Sequence, residues 1–185
     1  VFSGIGGVTY ALRGLVKPVA YIEIDEFCQK VIKKNIEEGR LPQANIYSDV
    51  CSFDPKCIKE RVHIVYGGFP CQDISKAGLQ KGAVDGERSR LWIHLVRLAI
   101  HFQSKYVFME NVPQIIGDGL QEILWTLASC GYDAKWVHLS AAQFGAPHLR
   151  TRWFLLATRR NTNILSKIFK SKFQNKQKDF EGYKN

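Results

Sequence analysis

The feature that most constrains the fold of this chain is a regular alternation of short apolar runs with amphipathic segments. The apolar runs are PVAYIEID (18–25), ANIYSDV (44–50), HIVYGG (63–68), KYVFMEN (105–111), DAKWVHLSA (133–141) and TRWFLLATR (151–159). Between them, three groups of residues recur at helical spacing and share one helical face each: Phe27, Val31 and Asn35; Leu91, Leu95, Leu98 and Phe102; Leu120, Ile123, Leu124 and Leu127. Apolar strands that alternate with helices are typical of a doubly wound α/β fold with a mostly parallel sheet.

In such a sheet, ligands bind at the carboxyl ends of the strands. Five residues that could bind a ligand or take part in a reaction follow apolar runs in this chain: Gly4, Glu23, Asp49, Cys71 and Glu110. The sequence therefore predicts one functional site, built at a single edge of the sheet.

Composition supports one globular domain, which we place at residues 1–160. The 185 residues are 45% hydrophobic, and no run approaches the roughly 18 apolar residues of a membrane span. The five cysteines form no C-x-x-C pair, so reduced thiols are favoured over a disulfide framework or a structural zinc site. The chain opens with VFSGIGG rather than Met, which suggests a piece of a larger protein.

Positive charge is concentrated at the end of the chain. The net charge is +9, of which residues 159–185 carry +6. Residues 161–185 form a Lys-rich tail in which one short amphipathic helix is possible, with Ile164, Leu165, Ile168, Phe169 and Phe173 as its apolar positions. Basic asymmetry of this kind is compatible with a nucleic-acid partner, and equally with a solvated tail.

The glycines of FSGIGG (2–7) favour a cofactor loop. Gly4, Gly6 and Gly7 follow a strand and allow a sharp turn with close ligand approach. Glu23 and Asp25 end the second strand about 20 residues further on, where a carboxylate can accept hydrogen bonds from ribose hydroxyls. Asp49 ends the third strand, and three acceptors around one glycine loop indicate a nucleoside cofactor. Position 9 is Thr rather than the third glycine of a dinucleotide fingerprint, which weighs against a nicotinamide-dependent dehydrogenase.

Cys71 is the candidate nucleophile. It follows Pro70, whose ring fixes the backbone that presents the thiol, and it begins a polar, glycine-spaced segment (71–90) that we predict to be a lid. The alternative is a buried, inert cysteine.

Two further groups complete the candidate site. Glu110 ends the strand at 105–109 and is placed to act as a general acid or to hold a ring nitrogen, unless it is a solvated loop residue. Arg150 and Arg152, two residues apart beside a strand, point to one side and can grip a carbonyl or phosphate, unless they lie at a solvated edge. The histidines have no metal-like spacing, and we predict no metal site.

Taken together, these residues resemble the cytosine-C5 DNA methyltransferase family over residues 1 to about 158. The motifs that carry the resemblance, in order, are FSGIGG, IEIDEFC, SDV, GGFPCQDIS, GERSRLW, FMENVP and GAPHLRTRWFLLA. Pro-Cys-Gln followed by Glu-Asn-Val in this order is a specific signal. The bacterial and phage enzymes of restriction–modification systems fit better than the tRNA-directed relatives.

The resemblance implies a Rossmann-like sheet that binds S-adenosylmethionine and transfers its methyl group to C5 of a flipped cytosine in double-stranded DNA. It implies catalytic roles for Cys71, Glu110, Arg150 and Arg152. The implied cofactor residues are Phe2, Gly4, Gly6, Gly7, Glu23, Ile24, Asp49, Val50, Pro70 and Leu91. The implied location is the cytoplasm of a bacterial or phage-infected cell.

Two departures from the family pattern limit this interpretation. His148 stands where the family usually has Gln. The chain also stops before the family's target-recognition domain and the segment that completes its sheet. The alternatives are therefore an inactive fragment, or one subunit of a split enzyme whose second polypeptide carries the recognition domain.

Overall fold

A computed structural model describes residues 1–70, 91–115 and 118–160. Strands and helices alternate along this part of the chain, as the sequence predicts. The strands are β1 (Ala20–Ile22), β2 (Asn45–Tyr47), β3 (Ile64–Gly68), β4 (Tyr106–Asn111), β5 (Tyr132–Ser140) and β6 (Thr151–Arg159). The helices are α1 (Gly7–Ala11), α2 (Glu26–Glu37), α3 (Trp92–His101) and α4 (Asp118–Ser129), and short 3-10 turns lie at Pro55–Cys57, Pro113–Ile115 and Ala141–Phe144.

The strands form two sheets, which confirm the α/β class. β1 pairs with β2 in parallel, and the second sheet has the order β3-β4-β6-β5. β3 and β4 are parallel, whereas β6 runs antiparallel to both β4 and β5. Fewer strand pairs are therefore parallel than the alternation of strands and helices in the sequence predicted. The physical reason is that β5 and β6 are joined by residues 141–150, which contain a 3-10 turn and no crossover helix, so the chain returns antiparallel.

The first three residues lie between the two sheets. The amino group of Val1 donates to the Tyr66 carbonyl at 2.8 Å, and the Ser3 amide donates to the Ile22 carbonyl at 3.1 Å. A Cβ at Gly67 would collide with the carbonyl oxygen of Val1, so the first glycine of GGFPC allows this close backbone approach. The segment therefore connects β1 and β3 edge to edge.

Helices cover both faces of the sheets. Ile22 packs in the main core with residues of α3 and α4, while its neighbour Tyr21 packs with Ile32 of α2 and with Leu41. Adjacent residues of a strand point to opposite faces, so α2 lies on the face opposite α3 and α4. This arrangement confirms the predicted doubly wound architecture.

The predicted apolar faces are correct for two helices and wrong for the third. Leu95 and Leu98 of α3 are buried, and so are Leu120, Ile123 and Leu127 of α4. In α2, the predicted face of Phe27, Val31 and Asn35 is wrong, because Phe27 is 72% exposed and Ile32 is buried. The Asp25 side chain caps this helix by accepting the Cys28 amide at 2.7 Å, which fixes a helical phase that turns Ile32 toward the sheet.

No helix in the described part of the chain combines the length and the apolar character needed to span a bilayer.

We expect the central position of β6 to dominate stability. Leu155 is fully buried between β4 and β5, so Leu155→Ala should lower the free energy of unfolding by about 3 kcal/mol through lost burial and the cavity left behind. Leu149 is 86% exposed, and Leu149→Ala should change the same quantity by less than about 0.5 kcal/mol. Urea unfolding of both variants checks this expectation. Equal losses in the two would contradict the placement of β6 at the centre of the core.

Candidate active site

The carboxyl ends of the parallel strands carry the predicted site residues. β1 leads into Glu23, β2 leads into Asp49, and β3 leads into Phe69 and Pro70. β4 ends with Glu110 and Asn111. Parallel pairing of β1 with β2 and of β3 with β4 brings these ends to one edge, as expected for a ligand site in a doubly wound sheet.

Hydrogen bonds to the Glu23 carboxylate connect the glycine loop to the segment that follows β1. Its carboxylate accepts the Gly4 amide at 2.6 Å through one oxygen and the Asp25 amide at 3.0 Å through the other. Only 9% of Glu23 is exposed, so these bonds form where water competes weakly. An ionised carboxylate has about four acceptor positions, and two therefore remain for a ligand.

The loop itself uses backbone conformations that favour glycine. Gly4 and Gly6 have φ values of 52° and 88°, and Phe2 has a positive φ of 52°. A Cβ at Gly6 would collide with the side chain of Leu41, whereas nothing lies within 4 Å of the Cβ position at Gly4. The loop is thus packed at Gly6 and open at Gly4, where a ligand can approach the backbone.

A second carboxylate lies after β2. The Asp49 side chain accepts the Cys51 amide at 2.8 Å, and this backbone bond is the main cause that lowers the pKa of Asp49 below its ordinary value. Asp49 therefore stays ionised at neutral pH. Val50 beside it is buried, while Ile24 at the end of β1 is 70% exposed. An exposed apolar side chain directly after Glu23 in the chain suits a flat ring that also forms hydrogen bonds.

Two residues of α3 that the sequence reasoning missed shape this region. Arg97 donates to the carbonyl of Val50 at 2.7 Å and to that of Phe53 at 3.3 Å, which fixes the segment after β2 against α3. Nδ1 of His94 is buried without a hydrogen-bond partner among the described residues. The sequence signal that could have indicated His94 and Arg97 is the presence of two polar residues within the otherwise apolar helix that begins near Leu91.

The environment of His94 disfavours its charged form. Burial lowers the pKa of His94 below 6.5, the nearby Arg97 charge lowers it further, and Asp49 opposes both by raising it. His94 is therefore neutral at pH 7. It does not supply a positive charge to balance the negative charge of Asp49.

Glu110 and Arg152 meet at the other side of the edge. Glu110 pairs in register with Gly68 of β3, and its carboxylate accepts Nε of Arg152 at 3.1 Å. A Cβ at Gly68 would lie 2.5 Å from Oε2 of Glu110, so the second glycine of GGFPC leaves room for the carboxylate. Both charged side chains are about a quarter exposed, which keeps the pair accessible to a ligand.

The two predicted arginines have different surroundings in the structure. Arg152 lies within β6 and contacts Glu110, whereas Arg150 precedes the strand and is exposed, with its carbonyl accepting the Ala141 amide at 3.1 Å. The expectation that both point to one side stays a prediction for Arg150. Cys71 and the proposed lid at 71–90 lie outside the described residues, and Pro70 and Leu91 are the described residues that flank them.

A cavity of about 740 Å³ lies between β1 and β3, away from these residues. Most of its lining comes from the amino ends of the strands, including Ala20, Asn45 and Ile64. Gly4, Glu23 and Asp49 do not line it, so it is distinct from the candidate site. Among the described residues, no group of three side chains is arranged to hold a metal ion.

Comparison with known proteins identifies the family. The family model for C-5 cytosine-specific DNA methylase matches residues 1–184. The chain belongs to this family. Type II methyltransferase M.CviJI of Paramecium bursaria Chlorella virus IL3A is 34% identical over 162 residues, which cover 87% of this chain and 42% of that protein. Type II methyltransferase M.HhaI of Haemophilus parahaemolyticus is 30% identical over 179 residues, covering 94% of this chain and 52% of that protein.

Solved structures of methyltransferases share the fold. The DNMT2 of Spodoptera frugiperda, solved as a triple mutant, superimposes with a TM-score of 0.69 at 25% identity, covering 88% of this chain and 49% of that one. A DNA modification methyltransferase encoded within an E. coli prophage gives a TM-score of 0.66 at 28% identity, covering 86% and 45%. The chain thus spans about half the length of the relatives it matches.

The charge arrangement around His94 predicts a pH dependence. Because its pKa lies below 6.5 in the folded chain, the unfolded chain binds this proton more readily. The stabilising contribution of neutral His94 is thus complete above pH 6.5 and declines as the pH falls through that value.

Asp49→Asn removes the charge that raises the pKa of His94, so this pKa should fall further. NMR titration of the His94 ring protons measures it.

The control for this titration is Asp54→Asn. Asp54 is exposed and accepts the Lys56 amide at 3.0 Å, and it is not among the groups that shift His94. A His94 pKa that responds equally to both substitutions would show that the Asp49 charge does not act on this ring.

Proposed function

We propose that this chain carries the catalytic part of a DNA (cytosine-5-)-methyltransferase. The observation that supports it best is the Glu110–Arg152 ion pair, which lies opposite Gly68 where β3 leads into Pro70 and Cys71. A carboxylate and a guanidinium thus lie beside Gly68, three residues before the candidate thiol in the chain, which supports the proposal. Membership of the C-5 cytosine-specific DNA methylase family supports the same reaction.

The proposed cofactor is S-adenosylmethionine, which would supply the methyl group. The open backbone at Gly4, the spare acceptor positions of Glu23, the exposed Ile24 and the ionised Asp49 fit the amino-acid, ribose and adenine parts of such a molecule. Phe2, Gly6, Gly7, Val50, Pro70 and Leu91 belong to the same proposed cofactor surface.

In the proposed reaction, a cytosine leaves the duplex stack and enters this edge of the sheet. The Cys71 thiolate would form a bond to C6, and the π electron pair of the C5–C6 double bond would move to C5, which becomes nucleophilic. Glu110 holds N3 and the exocyclic amine, where charge changes as C6 is attacked. C5 would then form a bond to the methyl group as the bond from that group to the sulfonium sulfur of S-adenosylmethionine breaks, leaving its electron pair on sulfur. A base would take the C5 proton, and the released electron pair would restore the C5–C6 double bond and expel the Cys71 thiolate.

Arg152 has two roles in this scheme. It orients the Glu110 carboxylate through the 3.1 Å contact, and its remaining guanidinium N–H groups can donate to the O2 side of the base. Arg150, which is exposed and two residues earlier in the chain, is proposed to hold the same side of the base or the lid. A nearby positive charge also lowers a thiol pKa, which favours the reactive thiolate of Cys71.

The proposed partner is double-stranded DNA, and a second polypeptide that carries a target-recognition domain is proposed if the chain works as part of a split enzyme. The concentration of positive charge in residues 159–185 suits contact with phosphates. A tRNA substrate is the second candidate, and an inactive remnant is the third. The following experiment separates them.

Covalent trapping tests the proposed chemistry. Duplex DNA of varied sequence that contains 5-fluorocytosine blocks the final elimination, because no proton can leave C5. Incubation with the chain and S-adenosylmethionine should therefore give a stable protein–DNA adduct, detected by denaturing electrophoresis and mapped to Cys71 by mass spectrometry. Cys71→Ala should give no adduct and no turnover while it retains cofactor binding.

The matched control is Cys130→Ala, which removes a partly buried thiol at the far end of α4 and should leave the adduct unchanged. Turnover by Cys71→Ala equal to that of the unaltered chain would end the assignment. An adduct that forms with fluorinated tRNA and not with fluorinated DNA would instead support a tRNA substrate. Absence of any adduct, with a recognition-domain partner also supplied, would favour the inactive remnant.

Cofactor binding provides an independent prediction. In Glu23→Gln, the amide NH2 must face either the Gly4 or the Asp25 N–H, so one of the two loop bonds is lost together with the charge. Loss of a charge-assisted bond corresponds to a Kd for S-adenosylmethionine that is about 10- to 100-fold higher. Isothermal titration calorimetry measures it, with Glu37→Gln at the exposed far end of α2 as the control. An unchanged Kd in folded Glu23→Gln would remove Glu23 from the cofactor site.

A further inference from the structure

Tyr66 of β3 contacts the chain on both sides of the glycine loop. Its carbonyl oxygen accepts the Val1 amino group at 2.8 Å, directly before the loop begins at Phe2. Its hydroxyl lies 2.7 Å from the hydroxyl of Thr9, two residues after the loop ends at Gly7. The backbone and the side chain of one strand residue therefore hold the two ends of the loop, although neither Tyr66 nor Thr9 is among the proposed catalytic or cofactor residues.

Thr9 stands where a dinucleotide fingerprint has its third glycine. In that fingerprint the glycine allows the helix to pack closely on the sheet. Thr9 lies in α1 and is only 2% exposed, so its hydroxyl requires a hydrogen-bond partner inside the protein. The Tyr66 hydroxyl is such a partner, and the bond connects α1 directly to β3.

The contact between Thr9 and Tyr66 joins two neutral groups. Burial raises the pKa of Tyr66 above its ordinary value, and the bond to Thr9 opposes this rise. The neighbouring tyrosine of β1, Tyr21, donates its hydroxyl to the Pro42 carbonyl at 3.0 Å. Because Thr9 is buried, water replaces its bond to Tyr66 poorly if the bond is lost.

Between its two ends, the loop depends on the bonds of its own amides. The Gly4 amide donates to the Glu23 carboxylate at 2.6 Å, and the Gly6 amide donates to the Ser3 carbonyl at 2.8 Å. Phe2, Gly4 and Gly6 all have positive φ values. A free chain seldom adopts three such conformations together, so fixed ends favour the observed loop by excluding its alternatives.

We propose that Thr9 and Tyr66 are positioning residues that hold the glycine loop in the conformation that binds the cofactor. This inference rests on the proposed cofactor function of the loop, and it goes beyond that function by assigning two residues that do not touch the cofactor. Loss of their bond lowers the population of the binding conformation, and the apparent Kd rises by the same factor.

The test is a double-mutant cycle with Thr9→Val and Tyr66→Phe, each of which removes one hydroxyl and keeps the shape of the side chain. Isothermal titration calorimetry measures the Kd for S-adenosylmethionine. Each single substitution should raise this Kd by about fivefold, the equivalent of one neutral hydrogen bond. The double variant should show the same increase of about fivefold, because both substitutions break one bond. Thr9→Ser keeps the hydroxyl and should retain the Kd of the unaltered chain.

Amide hydrogen exchange supplies a second readout that requires no cofactor. In each single variant, the Gly4 and Gly6 amides should exchange about fivefold faster by NMR, because the same shift in population opens the loop. The Lys56 amide, which donates to Asp54 at 3.0 Å in a different loop, should exchange at an unchanged rate. A role in stability alone would lower the free energy of unfolding and leave both the Kd of the folded chain and the local opening of the loop unchanged.

Two control variants match the chemistry of the test. Tyr10→Phe removes the hydroxyl of an exposed tyrosine next to Thr9 on α1, and Thr126→Val makes the threonine change on α4. Both should leave the Kd and the exchange of the loop amides unchanged.

Three results would overturn the inference. The first is an unchanged Kd with unchanged loop exchange in the folded single variants. The second is an additive increase of about 25-fold in the double variant, because the two hydroxyls would then act through different partners. The third is a Thr9→Ser variant that binds as weakly as Thr9→Val. If Thr9→Val does not fold, Tyr66→Phe alone decides by the first criterion.

The two readouts separate this inference from the proposed function. Failure of the unaltered chain to bind S-adenosylmethionine would count against the proposed cofactor function. The exchange rates of the Gly4 and Gly6 amides would still test the contact between Thr9 and Tyr66 in that case. Faster exchange in both single variants would establish that this contact positions the loop, and unchanged exchange would overturn it.

Discussion

The parallel pairing of β3 with β4 is the constraint on which the candidate active site depends. It sets Gly68 opposite Glu110, and the missing Cβ at Gly68 gives the Glu110 carboxylate the space in which it meets Arg152. One residue further along, the pairing brings the Asn111 amide to the Phe69 carbonyl. A slip of one residue in this register would turn every side chain of β4 to the opposite face and separate these groups.

In the described residues, the proposed cofactor half of the edge is organised by backbone amides rather than by ion pairs. Glu23 accepts the amides of Gly4 and Asp25, and Asp49 accepts that of Cys51. Such bonds fix the loops that contain the amides, and the Cys51 bond also lowers the pKa of Asp49. The same carboxylates therefore define the shape of the loops and supply the negative charge that the proposed cofactor would meet. Arg97 completes this arrangement from α3 by holding the carbonyls after β2.

The sequence predicted the elements better than their relative directions. Apolar periodicity located α3 and α4 with the correct buried faces, because their apolar residues recur over several turns. It failed for α2, whose phase is fixed by the Asp25 cap and by one buried residue, Ile32. The pairing directions of β5 and β6 also escaped prediction, because an apolar run carries no record of which neighbour it joins.

By itself, the sequence determined that this is an α/β protein and placed candidate site residues after its strands, and its ordered motifs indicated the cytosine-C5 methyltransferase family. Strand ends and glycine loops are local properties, encoded by hydrophobic periodicity and by residues with special backbone freedom. Only the tertiary structure decided that Arg152, and not the exposed Arg150, pairs with Glu110, and that Asn111 bonds to Phe69. These contacts join residues about 40 positions apart in the chain. They depend on strand order and register, which arise from packing the whole sheet rather than from any one segment.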